Sequence, residues 1–458
     1  MAITNIYVDP SKQTRTAVTI ANSTTTATVT QTSHGYSNGD TVKIQGAAED
    51  DYNGNFTISN VTTDTYDYTM GGDPGGSATG SPLASKLNLS GDDGTTSALA
   101  YADLQYALDQ KSAGANRFCI KAGTSEVLNK AIDLTSYGSS SSTIPLSFQG
   151  YATNAQDYGI ATIDGDGRYA VFNTTGYDYL SFLDLRLINT GANVIVHADN
   201  RCAFIRCEFS GTTGKHLIIS QLSKVIQCYF TDGQGVALGL GISSHIENCF
   251  FANSGATDFV MAIDLGNSTS AMAFNNLLHL DNASVGIGST SPNEWTYVYS
   301  NSVLCNGGTG TGIYVDAKAI PPVFRNNIVE GFSGVGGTGF LVLDGSPARN
   351  YSQYLANAAY NNTTNYDETN GRLSLDKEED NETLTESAFA KEGSLPTDFT
   401  DPNFWSDVYA YFAPVDTGNV LTGYPSGSNI AKGAVQPAAG GGGGGGLLRV
   451  NMNGNVFG

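Results

Sequence analysis

A small group of acidic residues and one arginine have the types and spacing that general acid–base chemistry requires. Asp164 and Asp166 lie two residues apart, and Asp184, Arg206 and Glu208 come from repeated segments that make them neighbours. Paired carboxylates beside a cation are typical of proton-transfer sites. Asp-Gly-Asp-Gly is also typical of turns, and opposite charges on a surface form ion pairs. The sequence favours these structural interpretations and keeps the catalytic one as the alternative.

The histidines and the known catalytic motifs add no further site. His197, His216 and His245 share no repeated position, and His279 stands where other repeats have a bulky core residue, so we predict an interior side chain there. The sequence has no CxxC pair and no histidine at ligand spacing. It also lacks a Ser-His-Asp order, a phosphate loop and a nucleotide fingerprint. We therefore expect neither a metal nor a cofactor.

A repeat of just over twenty residues positions these candidates. Its first column recurs at steps of 22, 21, 21, 28, 25 and 25 residues, about one turn of a β-solenoid. That column comprises Leu185, Cys207, Cys228, Cys249, Leu277, Ser302 and Asn327. A second strand advances in step with it, at Ile195, Leu217, Leu238, Ile263, Ile287, Ile313 and Leu341. The two registers predict stacked coils of parallel strands over residues 125–345.

Two more columns accompany the first one. Two positions later comes a bulky column, formed by Leu187, Phe209, Phe230, Phe251, His279, Leu304 and Val329. Because side chains alternate along a strand, the bulky column and the first column share one face, which we predict to be the core. One position before the first column lie Asn248, Asn276, Asn301 and Asn326. They predict an asparagine ladder, in which stacked amides satisfy one another.

These repeats resemble the right-handed parallel β-helix proteins, the pectate-lyase-like family, over roughly residues 96–360. The resemblance implies an all-β solenoid whose N-terminal end is plugged by a short amphipathic helix. Residues 97–112 fit that helix because Leu104, Ala107 and Leu108 fall on one stripe. Family members that cut polysaccharides use carboxylates with Arg, Lys or Ca²⁺ on the solvent face of the coils. The resemblance would give that role to Asp164, Asp166, Asp184, Arg206 and Glu208.

The six cysteines are predicted to be reduced and buried. Cys207, Cys228 and Cys249 stack one coil apart in a single interior column. Neighbours in such a column lie about 4.8 Å apart, but their side chains point the same way and do not meet with disulfide geometry.

Composition excludes several partners. The formal net charge is −21, and only 14 % of residues are charged. Phosphate binding needs clustered Lys and Arg, so we expect no nucleic acid as a partner. No run of 18 apolar residues occurs, so we expect no membrane insertion. The first ten residues lack the basic start and apolar stretch of a secretory signal, which favours assembly in a cytoplasm.

The sequence divides into six predicted regions. They are an N-terminal segment (1–20), a small β module (21–80), a linker (81–95), the β-helix (96–360), a C-terminal cap and extension (361–439), and a glycine tether with an apolar tail (440–458). In the module, Asn38-Gly39 and Asn53-Gly54 indicate turns between alternating strands. The module resembles one found in virion proteins of tailed bacteriophages, such as tail spikes and fibres.

The last nineteen residues differ from an ordinary domain terminus. Seven glycines, 440–446, precede an apolar peptide that suits docking to another protein. The predicted docking residues are Leu447, Leu448, Arg449, Met452, Val456 and Phe457.

Three functions remain open from the sequence. The favoured one is a structural and adhesive virion protein of a tailed phage, a homotrimer assembled in the host cytoplasm with other virion proteins and contacting host surface polysaccharide. The alternatives are a tailspike depolymerase, acting as lyase or hydrolase, and a bacterial surface adhesin. A depolymerase needs two carboxylates about 5–10 Å apart in a groove along the coils.

Overall fold

The computed structural model describes residues 3–413, apart from 112–113, 135–144, 156, 175, 192–193, 213, 253–258, 267–269, 282–284, 290–295, 318–322, 345–352, 356, 368–377, 380–381, 385, 390 and 392–393. The docking residues predicted between Leu447 and Phe457 lie outside the described residues.

The chain is all-β and forms a right-handed parallel β-helix, which confirms the predicted fold class. Each coil gives one strand to each of three parallel sheets, called sheets 1, 2 and 3 in the order in which the chain visits them. Among the described residues, sheet 1 has 12 strands, sheet 2 has 11 and sheet 3 has 10.

The strands have the following bounds. Sheet 1 contains Thr4–Val8, Asn116–Lys121, Leu146–Tyr151, Leu180–Leu183, Ala203–Ile205, Lys224–Ile226, His245–Glu247, Met272–Phe274, Tyr297–Tyr299, Val323–Arg325, Gln353–Leu355 and Glu378–Glu379. Sheet 2 contains Glu126–Val127, Ala161–Asp164, Leu185–Ile188, Glu208–Thr212, Tyr229–Gly233, Phe250–Ala252, Leu277–Leu280, Ser302–Cys305, Ile328–Glu330, Ala358–Tyr360 and Glu382–Thr383. Sheet 3 contains Ile132–Asp133, Phe172–Asn173, Val196–Ala198, Leu217–Ile219, Val236–Gly239, Met261–Asp264, Val285–Ser289, Thr311–Ala317, Thr338–Asp344 and Thr364–Asp367.

Stacked aromatic rings fill the interior. Phe182 lies on Phe204 with 4.6 Å between ring centroids, and Phe230 lies 4.9 Å from Phe209 and 4.6 Å from Phe251. These spacings match the separation of neighbouring strands. The predicted interior positions of Cys207, Cys228 and Cys249 are also observed, and all six cysteines are buried thiols outside any disulfide.

The predicted register is wrong by one residue in two coils. Phe251 pairs with Leu278, which places Cys249 level with Asn276 and not with Leu277. The first column therefore continues through Asn276, Asn301 and Asn327, and Ser302 lies beside it. Because the period of a strand is two, this slip moves His279 and Leu304 from the predicted core to the outer face.

The asparagine ladder exists in this corrected register. Its members are Asn276, Asn301, Asn327 and Asn357. The Nδ2 group of each of the first three donates to Oδ1 of the asparagine in the next coil. Asn248 and Asn326 lie one position earlier in the same corner between sheets 1 and 2 and outside the ladder, with φ values of 55° and 57°. Asparagine tolerates that left-handed conformation better than most residues.

The second predicted column is correct in its middle and off by one at its ends. Leu217, Leu238, Ile263, Ile287 and Ile313 pair in sequence along sheet 3. Val196 replaces the predicted Ile195, and Phe340 replaces the predicted Leu341.

An α-helix of seven residues, Leu104–Gln110, lies within the predicted segment 97–112. It begins later than predicted because Asp103 is its N-cap and accepts from the N–H of Tyr106. Leu104, Ala107 and Leu108 are buried in the solenoid core. Its role as a plug for the end of the coils stays a prediction.

The small β module consists of two antiparallel sheets. One contains Thr16–Ala17, Gly80–Lys86, Thr41–Ala47 and Gly54–Thr57, and the other Thr19–Ser23, Thr26–Thr30 and Thr65–Thr69. Short 3-10 helices span Pro10–Lys12 and Asp50–Tyr52. The structure differs here from the predicted boundaries. Gly80–Lys86, which includes the start of the predicted linker, is a strand of the module that pairs with Thr41–Ala47. Thr4–Val8, in the predicted N-terminal segment, is a strand of sheet 1 of the solenoid.

A buried ionic cluster joins the module to the first coil. Lys43 Nζ contacts Asp103 Oδ2 at 2.7 Å and Glu126 Oε1 at 2.6 Å, and all three side chains are at most 3 % exposed. Asn55 donates to Asp103, and Asn129 donates to the carbonyl of Ile44. These bonds hold the module and the solenoid together as one unit.

The C-terminal segment covers the outside of sheet 2. Solenoid strands continue to Glu382–Thr383, beyond the predicted end at 360. The chain then returns along the flank to the helix Phe404–Tyr411, and Phe404, Val408 and Phe412 pack on the outward rings of sheet 2. Glu330 anchors this return by accepting from Ser387 Oγ, Ala388 N and Lys391 Nζ. No helix in the described part of the chain is long and apolar enough to cross a membrane.

Candidate functional site

Asp184 and Arg206, two of the predicted candidates, form a structural ion pair at the corner between sheets 1 and 2. Arg206 donates to Asp184 Oδ1 at 2.7 Å and to Oδ2 at 2.9 Å, and Gln149 donates to Oδ2 at 3.2 Å. Asp184 is only 2 % exposed. Both residues have left-handed φ values, 56° and 52°. A carboxylate held on both oxygens in this way is poorly suited to act as a base.

Glu208 belongs to a separate ion pair on the outer face of sheet 2. Arg186 Nε contacts its carboxylate at 2.5 Å, and Arg186 Nη2 lies 3.5 Å from Asp398 Oδ1 of the C-terminal segment. Glu208 is only 4 % exposed. The structure thus places Asp184, Arg206 and Glu208 in two neighbouring coils, but each acid is paired with its own arginine.

Asp164 and Asp166 form a turn. Asp164 Oδ1 accepts from the N–H of Asp166 at 2.9 Å, and Asp166 has a φ of 56°. The neighbouring side chains serve the module junction, because Arg168 donates to the carbonyl of Ala47 and Tyr169 donates to Asp50.

The histidines are scattered over different faces. His216 is fully buried, and burial lowers its pKa to about 3, so it is neutral in the core. His197 is exposed on sheet 3. His279, predicted to be interior, lies on the outer face of sheet 2 with its ring 5.9 Å from that of Tyr411. Burial is the main cause that lowers the pKa of His279.

A groove on the outer face of sheet 3 is the best candidate for a binding site. It is shallow and open, with a volume of about 560 Å³. Its polar walls come from Asp199, Asn200, Lys215, Gln221 and Asp264. Such a lining offers both donors and acceptors, which suits a ligand rich in hydroxyl groups.

Glycines open this groove. The outward column of sheet 3 runs through His197, Ile218, Gly239 and Asp264. A Cβ at Gly239 would meet nothing within 4 Å, so the missing side chain leaves free space between Ile218 and Asp264. A Cβ at Gly241 would lie 2.5 Å from the carbonyl oxygen of Ser220, so only glycine allows the backbones to approach there.

The two groove aspartates stand on backbones that lie farther apart than the paired carboxylates of a glycosidase. Asp199 directly follows the strand Val196–Ala198, and Asp264 belongs to the third strand after that one in sheet 3. The two backbones are therefore about 14 Å or more apart. Paired glycosidase carboxylates lie about 5–10 Å apart. Each acid also accepts a backbone N–H, from Gly176 at 2.7 Å for Asp199 and from Gly266 at 2.8 Å for Asp264. The arrangement can hold hydroxyl groups at several points.

Sequence reasoning missed this groove. The signal available in the sequence was Gly239, a glycine at an outward-facing strand position in the same column as Asp264 of the next coil. Within the described residues, no three His, Cys, Asp or Glu side chains are grouped so that they could hold a metal ion.

Similarity to known proteins is limited to structure. No protein-family model and no curated protein sequence matches the chain. The crystal structure of pectate lyase Pel9A aligns with a TM-score of 0.46 and 11 % identity, covering 77 % of this chain and 95 % of that one. The Gp54 tailspike of Acinetobacter baumannii bacteriophage AP22, in complex with A. baumannii capsular saccharide, aligns with a TM-score of 0.26 and 10 % identity, covering 82 % and 67 %. The tailspike protein gp49 from Pseudomonas phage LKA1 aligns with a TM-score of 0.21 and 8 % identity, covering 78 % and 64 %. The β-helix itself rests on the strand pairings described above.

Proposed function

We propose that the chain is a structural and adhesive protein of a tailed-bacteriophage virion, a tail spike, fibre or surface appendage that holds host surface polysaccharide. The contact surface is the sheet 3 groove, with Asp199, Lys215, Gln221 and Asp264 as its hydrogen-bonding groups.

The observation that carries this proposal is the spacing of the acids. Asp199 and Asp264 line one groove but stand about 14 Å or more apart. Of the acids predicted from the sequence, Asp184 and Glu208 form ion pairs with arginines, and Asp164 bonds the backbone of its own turn. Among the residues that the structure describes, this surface has several hydroxyl-binding groups and no opposed acid pair, which favours adhesion over cleavage.

The assignment to a virion is supported by the module and its attachment. The module carries the resemblance to phage virion proteins, and the Lys43 cluster fixes it to the solenoid. A rigid rod of stacked coils with a module at one end suits an appendage that projects from a particle. Homotrimerisation, assembly in the host cytoplasm and contact with other virion proteins belong to the same proposal.

Binding to an array of purified bacterial capsular polysaccharides and O-antigens tests the adhesive function. We expect the full chain to bind at least one of them without shortening it, and Asp264→Asn with Lys215→Gln to weaken binding at least tenfold. Asp407→Asn, which changes an exposed acid on the C-terminal helix, is the matched control and should bind like the wild type.

Two results would contradict the proposal. A polysaccharide that becomes shorter, measured by gel filtration and new reducing or unsaturated ends, would make the chain a depolymerase. Absence of the chain from purified phage particles, measured by mass spectrometry, together with its presence on a bacterial surface would favour the bacterial adhesin.

A further inference from the structure

The outer face of sheet 1 carries a line of aromatic side chains that the proposed groove does not use. We call it the aromatic strip and define it by Glu247, Met272, Phe274, Tyr297, Tyr299 and Arg325. All six side chains are partly exposed.

Strand pairing sets the layout of the strip. Glu247, Phe274, Tyr299 and Arg325 pair in order along one column, and His245, Met272 and Tyr297 along the other. Members of one column lie about 4.8 Å apart, and the two columns lie about 7 Å apart because they are two residues apart on each strand. The strip is therefore about 14 Å long and two side chains wide.

The rings of the strip support one another. The ring centroids of Phe274 and Tyr299 are 5.4 Å apart, and those of Tyr297 and Tyr299 are 5.7 Å apart. The Arg325 guanidinium lies 5.4 Å from the Tyr299 ring centroid. At the other end, Asn248 donates to Glu247 at 3.2 Å and holds its carboxylate. Apolar ring faces in the middle thus have a polar group at each end.

We propose that the aromatic strip binds a polysaccharide chain laid along the solenoid axis, with pyranose rings stacked on Phe274 and Tyr299 and hydroxyl groups bonded by Glu247 and Arg325. A pyranose has an apolar C–H face and a polar rim, so an aromatic face flanked by a carboxylate and a guanidinium matches it. This proposal rests on the proposed function in one respect, namely that the ligand is a polysaccharide. It adds a second contact face, separate from the groove on sheet 3.

The size of the strip argues against a second copy of the chain as its occupant. A surface about 7 Å by 14 Å covers on the order of 100 Å². Stable protein interfaces bury about 800 Å² on each partner. A single sugar chain, in contrast, is about as wide as the two columns. The polar ends also suit it, because hydroxyl groups can bond both Glu247 and Arg325.

His245 adds a neutral side chain beside the strip. Burial, together with the charge of Lys224, lowers the pKa of His245 to about 4. Its imidazole is therefore uncharged near neutral pH and offers one donor and one acceptor.

The test uses the full chain and the same array of bacterial capsular polysaccharides and O-antigens. We expect Tyr299→Ala and Phe274→Ala each to weaken binding of the recognised polysaccharide at least tenfold, and Tyr299→Phe to keep binding within about threefold because the ring remains. Tyr158→Ala is the matched control, because Tyr158 is an exposed tyrosine (64 %) outside the strip. Circular dichroism and thermal unfolding check that each variant is folded, and Arg325→Gln provides a second probe that removes no ring.

Each outcome decides a separate point. If Tyr299→Ala, Phe274→Ala and Arg325→Gln all bind like the wild type while Asp264→Asn with Lys215→Gln does not, the strip proposal is wrong and the proposed function stands. If the wild type binds none of the polysaccharides, both are wrong. If Tyr299→Ala lowers the oligomeric mass measured by sedimentation without any polysaccharide present, the strip is a contact between copies of the chain.

Discussion

At the scale of single residues, one interior column shows how thiols and amides replace each other. The Sγ atoms of Cys228 and Cys249 accept from the backbone N–H one coil earlier, at 3.4 and 3.3 Å. In the next coils the Oδ1 atoms of Asn276 and Asn301 accept in the same way, both at 3.0 Å. The thiols also donate to backbone carbonyls. The column therefore requires a side chain that accepts from one coil and donates within the stack.

Replacing Asn276 tests this requirement. Asn276→Leu leaves the buried N–H of Cys249 and the carbonyl of Ile246 without this partner, which should cost about 2–5 kcal/mol. Asn276→Cys keeps an acceptor for the N–H and should cost about half as much. Chemical denaturation with reversibility checked at each step measures both values. An Asn276→Cys variant as unstable as Asn276→Leu would mean that only the shape of the amide matters.

The same column shows what the sequence could not fix. Adjacent polar residues, as in Asn275-Asn276 and Asn326-Asn327, allow two alignments one residue apart, and bulk favours the wrong one because Phe274 is larger than Ala273. In the structure Ala273 faces the core and Phe274 faces outward. The choice depends on how many residues the corner between sheets holds, which side-chain chemistry does not reveal.

At the scale of elements, the periodicity of two strands predicted the solenoid, whereas contacts between distant segments were not predictable. Nothing local indicates that Lys43 of the module meets Asp103 and Glu126 of the first coil. The same holds for Glu208 and Arg186, which lie under the returning C-terminal segment. The sequence alone therefore does not distinguish a catalytic carboxylate from one that is neutralised by an ion pair.

The junction cluster should make stability depend on pH. Burial raises the pKa of Glu126 to about 7, although the charge of Lys43 acts in the opposite direction. A carboxyl whose pKa is higher in the folded chain than in the unfolded one stabilises the fold below the unfolded value, and this contribution is lost as pH rises through 7. We expect the stability of the wild type to fall by up to about 1.4 kcal/mol per pH unit between about pH 5 and pH 7 from this group.

Glu126→Gln removes the titrating group and should flatten that slope. Thermal unfolding of the wild type and the variant across this pH range measures the difference. Glu49→Gln is the matched control, because Glu49 belongs to the same module, bonds Thr79 and lies outside the cluster. Equal slopes for the wild type and Glu126→Gln would show that Glu126 keeps its charge throughout.

At the scale of the whole molecule, the described part of the chain ends on the returning C-terminal segment. Phe412 packs against Phe250 and Phe389, so the described chain ends beside the flank of the solenoid and not at its tip. A flexible glycine tether with an apolar end suits docking to a neighbouring copy of the chain.

Deleting residues 440–458 should separate folding from assembly. We expect unchanged circular dichroism and a melting temperature within about 2 °C of the full chain, because the packed clusters stay intact. We also expect the full chain to sediment as a homotrimer and the truncated chain to lose trimer or to be incorporated poorly into particles. Analytical ultracentrifugation and the protein content of purified particles measure these effects.

A second variant separates the apolar peptide from its tether. Replacing Leu447, Leu448, Val456 and Phe457 with serine keeps the length of the tail and its seven glycines but removes the apolar surface that docking would bury. If docking drives assembly, this variant should behave like the deletion, because burial of apolar area and not the reach of the chain is lost. If both variants assemble at the level of the full chain, residues 447–458 do not dock. The contacts between copies would then lie elsewhere on the chain.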